Sequence, residues 1–379
     1  MTMQSVNSAA SQALRSFADT LWCEQRAMGG VLPDEEADVP ETYRFCCPPV
    51  VHFGNLQQEY QAARSGAVLF DFSDRTQIEI TGQDRQPFLH NFCTNNIKRL
   101  ECGESCEAFV TSAKGRILAH IFAFVGADSL WIETTPGRAE ALLAHLDRYI
   151  IRADVQLYDR TGDYGELFFT GPETVRKLAA INLLPKALDV HQHSTIQRAT
   201  PWLAVRRVDL LGQPGVFLVT TRAQLGAVWK ELIAAGAYPG GAAAFHACRI
   251  EAGFPLYGLD LSDDNLAQEA ARTETAISFT KGCYLGQEPI ARIDTLGHVN
   301  RKLCALRLTS KPVPGLGDVV LSEQGREVGV ITSSALVPGE DRPIALGLLR
   351  TSHTGPATEV RVRIGDIQIG ASVCCSGRA

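Results

Sequence analysis

Glu107-Ala108-Phe109-Val110-Thr111, Arg116-Ile117-Leu118-Ala119-His120-Ile121-Phe122-Ala123-Phe124-Val125 and Leu130-Trp131-Ile132-Glu133-Thr134 are three apolar runs separated by Lys114-Gly115 and by Gly126-Ala127-Asp128. Aliphatic, aromatic and β-branched residues dominate the runs and turn formers divide them, so they predict a meander of antiparallel strands. Upstream, Gln57 to Arg64 reads as a helix, Val68 to Phe72 and Gln77 to Thr81 as strands, and Pro87 to Phe92 as a second helix. Downstream, a helix from Gly137 to Tyr149 and a strand from Val155 to Tyr158 complete a first α+β unit. This mixed order of strands and helices argues against a doubly wound parallel sheet.

The pattern recurs more loosely. Leu167 to Thr170, Trp202 to Asp209 and Val216 to Thr220 read as strands, and Glu173 to Ala180 and Ala223 to Ala235 as helices. Beyond Arg301 six short runs follow, from Leu303 to Leu308, Val319 to Ser322, Glu327 to Ser333, Ile344 to Leu349, Glu359 to Ile364 and Ile367 to Val373. Glycine and proline divide them, which is the pattern of a small closed or nearly closed barrel. The expected organisation is an extension over 1–50, α+β units over 51–160 and 161–295, and a barrel over 296–379. The extension holds a helical stretch from Ser11 to Arg26, then Gly29-Gly30, Pro33-Asp34-Glu35-Glu36 and Pro48-Pro49.

Composition narrows the function classes. Apolar residues make up 45% and charged residues 21%, a globular balance. A net charge of −6 disfavours a broad basic surface for nucleic acid, although Arg292, His298, Arg301 and Lys302 form a modest local cluster. No stretch reaches the ~20 apolar residues of a membrane span and the N-terminus lacks a leader pattern, so a cytoplasmic protein without a membrane partner is expected. Eleven cysteines, with Cys46-Cys47 and Cys374-Cys375 adjacent, make no disulfide framework. Cys102 and Cys106 lack a second pair for zinc, so no metal site is expected.

Two segments concentrate polar and flexible residues. Arg249-Ile250-Glu251-Ala252-Gly253 ends a helix that begins near Ala242 and leads into Tyr257-Gly258-Leu259-Asp260. Helix capping accounts for part of it, with Gly253 at the left-handed position, Arg249 in the last turn and Pro255 beyond. In the second segment, Lys281-Gly282-Cys283-Tyr284-Leu285-Gly286-Gln287-Glu288, glycines flank a thiol and a phenol. Such a loop lets backbone approach a ligand. Lys281 would stabilise a Cys283 thiolate if the two side chains converge, making these the candidate catalytic residues. Nucleophilic, redox and purely structural roles for Cys283 all remain open at this point.

The pair R-I-E-A-G…Y-G-L-D and K-G-C-Y-L-G-Q-E resembles the YgfZ-like folate-binding proteins within the glycine-cleavage T-protein (aminomethyltransferase) superfamily. The likeness runs from about His52 to the C-terminus, through Phe88-Leu89, Asn95-Asn96-Ile97, Gln268-Glu269 and Val328 to Ser333. It implies an α+β architecture of three domains in a ring around a tetrahydrofolate channel, closed by a C-terminal barrel. A pterin wants a carboxylate or amide at its amino-pyrimidine edge, an apolar wall, and cations for its glutamyl tail. Arg249, Glu251, Gln213, Gly282, Tyr284, Gly286, Gln287, Glu288 and Arg292 are the candidate folate-binding residues, and Arg272 and Lys281 add to the local supply of cations.

Three departures from the glycine-cleaving branch follow from the same resemblance. The strand Gly115-Arg116-Ile117-Leu118-Ala119-His120 carries no carboxylate where that branch has its activating aspartate. Gln213 replaces a folate-binding glutamate, and Phe245 replaces an arginine. The resemblance therefore implies a folate-binding accessory protein that supports iron-sulfur cluster enzymes, including those that modify tRNA, and a monomer is expected. An aminomethyltransferase, or another folate-dependent one-carbon or demethylating transferase, with His120 or an acid from another segment as substitute, is the enzyme alternative. A direct tRNA-binding module is the least favoured reading.

Overall fold

The computed structural model describes residues 21–33, 49–184, 188–196, 202–297 and 299–374. Expectations placed on Ser11 to Thr20, Asp34 to Pro48, His298 and Cys375 lie outside these residues. Strands in chain order are β1 Val68–Asp71, β2 Thr76–Thr81, β3 Ser105–Thr111, β4 Ile117–Val125, β5 Ser129–Thr134, β6 Gln156–Asp159, β7 Tyr164–Thr170 and β8 His193–Ile196. They continue with β9 Leu203–Val208, β10 Gly215–Thr221, β11 Tyr238–Gly240, β12 Arg301–Leu308, β13 Val319–Ser322, β14 Glu327–Leu336, β15 Pro343–Arg350, β16 Glu359–Ile364 and β17 Ile367–Cys374.

Two compact units emerge. The first takes the described residues up to Ile78, with 158–209 and 213–245, and the second takes 79–157, 210–212 and 246 onward. This division interleaves the chain instead of cutting it into consecutive domains.

In the first unit, six strands form a sheet in the order β11-β1-β7-β10-β9-β8. β1 was expected in the meander's unit, yet it pairs antiparallel with β7 and parallel with β11. All four of its residues are buried, which suits a strand with neighbours on both sides better than an edge. One sheet face carries Leu69, Leu167, Phe169, Val205, Val216 and Leu218. They pack with Leu178, Leu225, Trp229 and Leu232 of the helices Thr174–Ala180 and Arg222–Ala234. The other face carries a cross-strand row of Phe70, Phe168, Phe217 and Arg206.

The predicted meander stands in the second unit as neighbouring strands of a sheet ordered β3-β4-β5-β2-β6. The same unit contains the closed barrel β12-β15-β14-β13-β16-β17, with Leu306, Leu308, Val320, Ile331, Val360, Val362 and Ala371 in its core. No helix among the described residues is long and apolar enough to cross a membrane.

Candidate functional site

The K-G-C-Y-L-G loop is built by what holds it. Ser278 N donates to Thr94 O at 2.9 Å and Leu285 N to Asn91 O at 2.8 Å, while Thr111 Oγ1 donates to Leu285 O at 2.7 Å. Asn95 Nδ2 ties Glu107 O at 2.8 Å to Thr275 O at 2.9 Å. Gly286, at φ +84°, begins the helix Gln287–Leu296, and a Cβ there would lie 2.3 Å from Ser112 O. Only glycine combines that conformation with that approach. Tyr284 joins a buried cluster with Phe109, Ile117, Tyr257, Ile277 and Ile290. Between these fixings Phe279, Thr280, Gly282 and Cys283 are left exposed.

The structure separates the two candidate catalytic residues. Lys281 is buried, and its Nζ donates to the carbonyls of His90 (2.6 Å), Cys93 (2.6 Å) and Asn95 (2.9 Å). It also lies 4.6 Å from the centre of the Tyr284 ring. An ammonium has three protons, and all three are used here. The convergence on which a stabilised Cys283 thiolate depended is not what this ammonium makes, because its protons are spent on backbone carbonyls. Burial lowers the Lys281 pKa, partly offset by Cys93 and Cys106.

Arg249 also has a different task from the one expected. It is fully buried, donating to Asp260 Oδ2 and Ser333 Oγ at 2.6 Å each, with His246 Nδ1 at 3.1 Å. Thr332 and Ser333 both donate to Asp260 Oδ1, at 2.7 and 2.6 Å. Neighbouring residues normally face opposite ways on a strand, and the register shift between Ile331 and Ser333 brings both hydroxyls to one side. The network fastens the helix Ala242–Glu251 to β14 of the barrel. Gly253, at φ +71°, ends that helix as the capping pattern requires.

Of the remaining candidates, Glu251 and Gln287 are half-buried and Glu288 and Arg292 exposed. Gln213, half-buried, belongs to the first unit, in the turn between β9 and β10. Arg301 is occupied by Glu269 at 3.2 Å, which thins the local basic cluster.

Sequence reasoning missed a buried ionic cluster. Glu107 on β3 pairs across the ladder with Phe122, which places it on the same face as His120. His120 Nε2 lies 2.7 Å from Glu107 Oε1, and Arg272 grips both carboxylate oxygens, at 2.7 and 2.5 Å. The guanidinium also sits over the Phe254 ring at 5.4 Å, and His120 lies among Phe109, Phe122 and Phe254. Burial alone would raise the Glu107 pKa, but hydrogen bonds and charge from Arg272 and His120 overcome it and hold the carboxyl well below its ordinary range. The available signal was an acid inside an apolar strand, two residues from Phe109 on the same face.

Together, fold and site define an α+β protein with a closed C-terminal barrel and a thiol-bearing loop presented on the meander sheet. The GCVT N-terminal domain matches residues 30–281, and the glycine cleavage T-protein C-terminal barrel domain matches residues 301–376. The chain belongs to the glycine-cleavage T-protein family. It is 27% identical to an aminomethyltransferase of Herpetosiphon aurantiacus, over 85% of this chain and 90% of that protein. A chloroplastic putative transferase of Arabidopsis thaliana is 29% identical over 75% of this chain, which spans 65% of that relative's length. The glycine cleavage system aminomethyltransferase T of Bartonella henselae shares the fold with a TM-score of 0.81 at 22% identity, covering 95% of this chain and 98% of that one.

Proposed function

We propose that this chain is a tetrahydrofolate-binding member of the family on its YgfZ-like branch, supporting the assembly or repair of iron-sulfur clusters in other enzymes and not transferring aminomethyl groups. One observation carries this reading. The loop presents the Cys283 thiol to solvent, while the strand beneath it offers no free acid. Positions 115–120 hold no carboxylate, and the nearby Glu107 is consumed by Arg272 and His120. An acid held ionised by a bidentate arginine is a poor proton donor, so the group that would drive transfer is missing.

The donor set suits a reduced folate in kind. Within the second unit, Glu251 and the amide of Gln287 are half-buried, as groups reading an amino-pyrimidine edge must be, and Arg292 reaches solvent, where a glutamyl tail would end. Bound folate would supply a one-carbon carrier, and these residues would orient it. Titration calorimetry with tetrahydrofolate should show binding, and no heat at millimolar ligand would reject the folate half of the reading. Cells lacking the gene should lose cluster-dependent enzyme activities, and unchanged activities would reject the other half.

The names of the aminomethyltransferase relatives favour a second reading, transfer of an aminomethyl group from a carrier protein to folate. Incubation with aminomethylated carrier protein and tetrahydrofolate distinguishes the two. The preferred reading expects no methylene-tetrahydrofolate.

A further inference from the structure

Lys281 stands two residues before the exposed Cys283, yet its ammonium reaches the backbone of the hidden Cys93. Cys93 is fully buried and its Sγ lies 3.5 Å from Asn95 O, the same oxygen that accepts Lys281 Nζ at 2.9 Å. Cys283, two residues along the loop, is exposed. The three carbonyls converging on Nζ come from residues 90, 93 and 95, so a single side chain closes that turn upon itself and onto the loop.

We infer that Lys281 is a positioning residue that locks the turn of residues 90–95 to the thiol-bearing loop, keeping Cys93 sealed while Cys283 stays presented, and that the three carbonyls form a receptor for a monovalent cation. The inference builds on the reading of Cys283 as the site's working thiol, but its test requires neither folate nor a client enzyme. Converging carbonyl oxygens replace the hydration shell of an ammonium or potassium ion in the same way. Without the ammonium, the buried carbonyls of His90 and Cys93 lose their donor, Asn95 O keeps only Ile97 N and the Cys93 thiol, and the turn should open locally.

The experiment follows alkylation of each cysteine by iodoacetamide with mass spectrometry, on the full chain. In the unsubstituted protein Cys283 should react and Cys93 should stay protected. In Lys281→Ala, Cys93 alkylation should rise by roughly tenfold or more through local opening. Methylammonium or potassium chloride should restore its protection more effectively than tetramethylammonium chloride at equal ionic strength. In Lys281→Met, the pH midpoint of Cys283 alkylation should stay where it is in the unsubstituted protein. A midpoint displaced upward by about one unit, with Cys93 still sealed, would show that Lys281 serves the Cys283 thiolate and overturn the inference. So would a folded Lys281→Ala that leaves Cys93 protected. Should that variant not fold, nitrogen-15 NMR of lysine-labelled unsubstituted protein decides. A threefold-bonded ammonium gives a slowly exchanging signal that Lys281→Arg removes, and its absence would overturn the lock.

Discussion

Glu107 and Glu166 are both buried carboxylates on β-strands with an arginine nearby, one in each unit. Geometry gives them opposite chemistry. Glu107 is gripped through both oxygens by Arg272 and touched by His120, and these two partners together favour the anion over the burial that opposes it. Glu166 lies 3.7 Å from Arg206 Nη1, beyond hydrogen-bond reach, and Gln77 bridges the pair through two contacts of 3.1 Å. Glu166 Oε1 has no hydrogen-bond partner. Burial pushes this carboxyl up to about 7 despite Arg206 and Arg75, and burial pushes Arg206 down to about 10. A buried acid stays ionised when a cation meets both its oxygens, and drifts toward neutrality when the cation stands one side chain away.

The largest effect that would break this contrast is Glu107→Gln. It leaves Arg272 and His120 without their anion, and losing one member of a buried pair costs about 3–5 kcal/mol, with the lower end expected because the Arg272 side chain is 21% exposed. Chemical denaturation of the second unit at neutral pH should register it. A loss within experimental error would show that the cluster is not held as described.

Next in size is the pH dependence, where the two acids act with opposite sign. Glu107 has a folded pKa below its ordinary 4.5, so its stabilisation is complete above 4.5 and is lost as pH falls. Glu166 has a folded pKa near 7 against 4.5, so its contribution is complete below 4.5 and is lost as pH rises through 7. Raising the pH from 5.5 to 7 should therefore weaken the first unit, by up to about 1.4 kcal/mol per pH unit. Urea midpoints at half-unit steps would reveal this, and a flat profile over that window would remove the distinction between the two acids.

The contrast also marks what could be read in advance. The meander and the six barrel strands were legible because apolar runs alternate with Gly, Pro and Asp turns. β8 and β11 were not, since one is a short, partly exposed edge strand at His193–Ile196 and the other reads Tyr238-Pro239-Gly240. The Cys283 loop announced itself through Gly282 and Gly286. Its fixings did not, because Lys281 reaches backbone carbonyls 186 to 191 residues away and backbone groups carry no sequence signature. Glu107 and Arg272 stand 165 residues apart, a pairing that only the folded sheet creates. Arg249 was read as a ligand group because its acid, Asp260, and the hydroxyls of Thr332 and Ser333 arrive from separate elements.

The smallest effect sharpens the comparison most. Combining Glu166→Gln with Arg206→Met should leave the first unit as stable as before or stabilise it by roughly 1 kcal/mol at neutral pH. Across the 3.7 Å gap the pair recovers less Coulomb energy than the desolvation of two buried charges costs, so removing both relieves more than it forfeits. The amide introduced at position 166 would retain the contact to Gln77, and the thioether introduced at position 206 would fill the row beside Phe217. The same paired replacement at Glu107 and Arg272 should be clearly destabilising, since it also strips His120 of its partner and Phe254 of its cation. Equal responses from the two double variants would mean that contact distance does not decide which of these carboxylates is held as an anion.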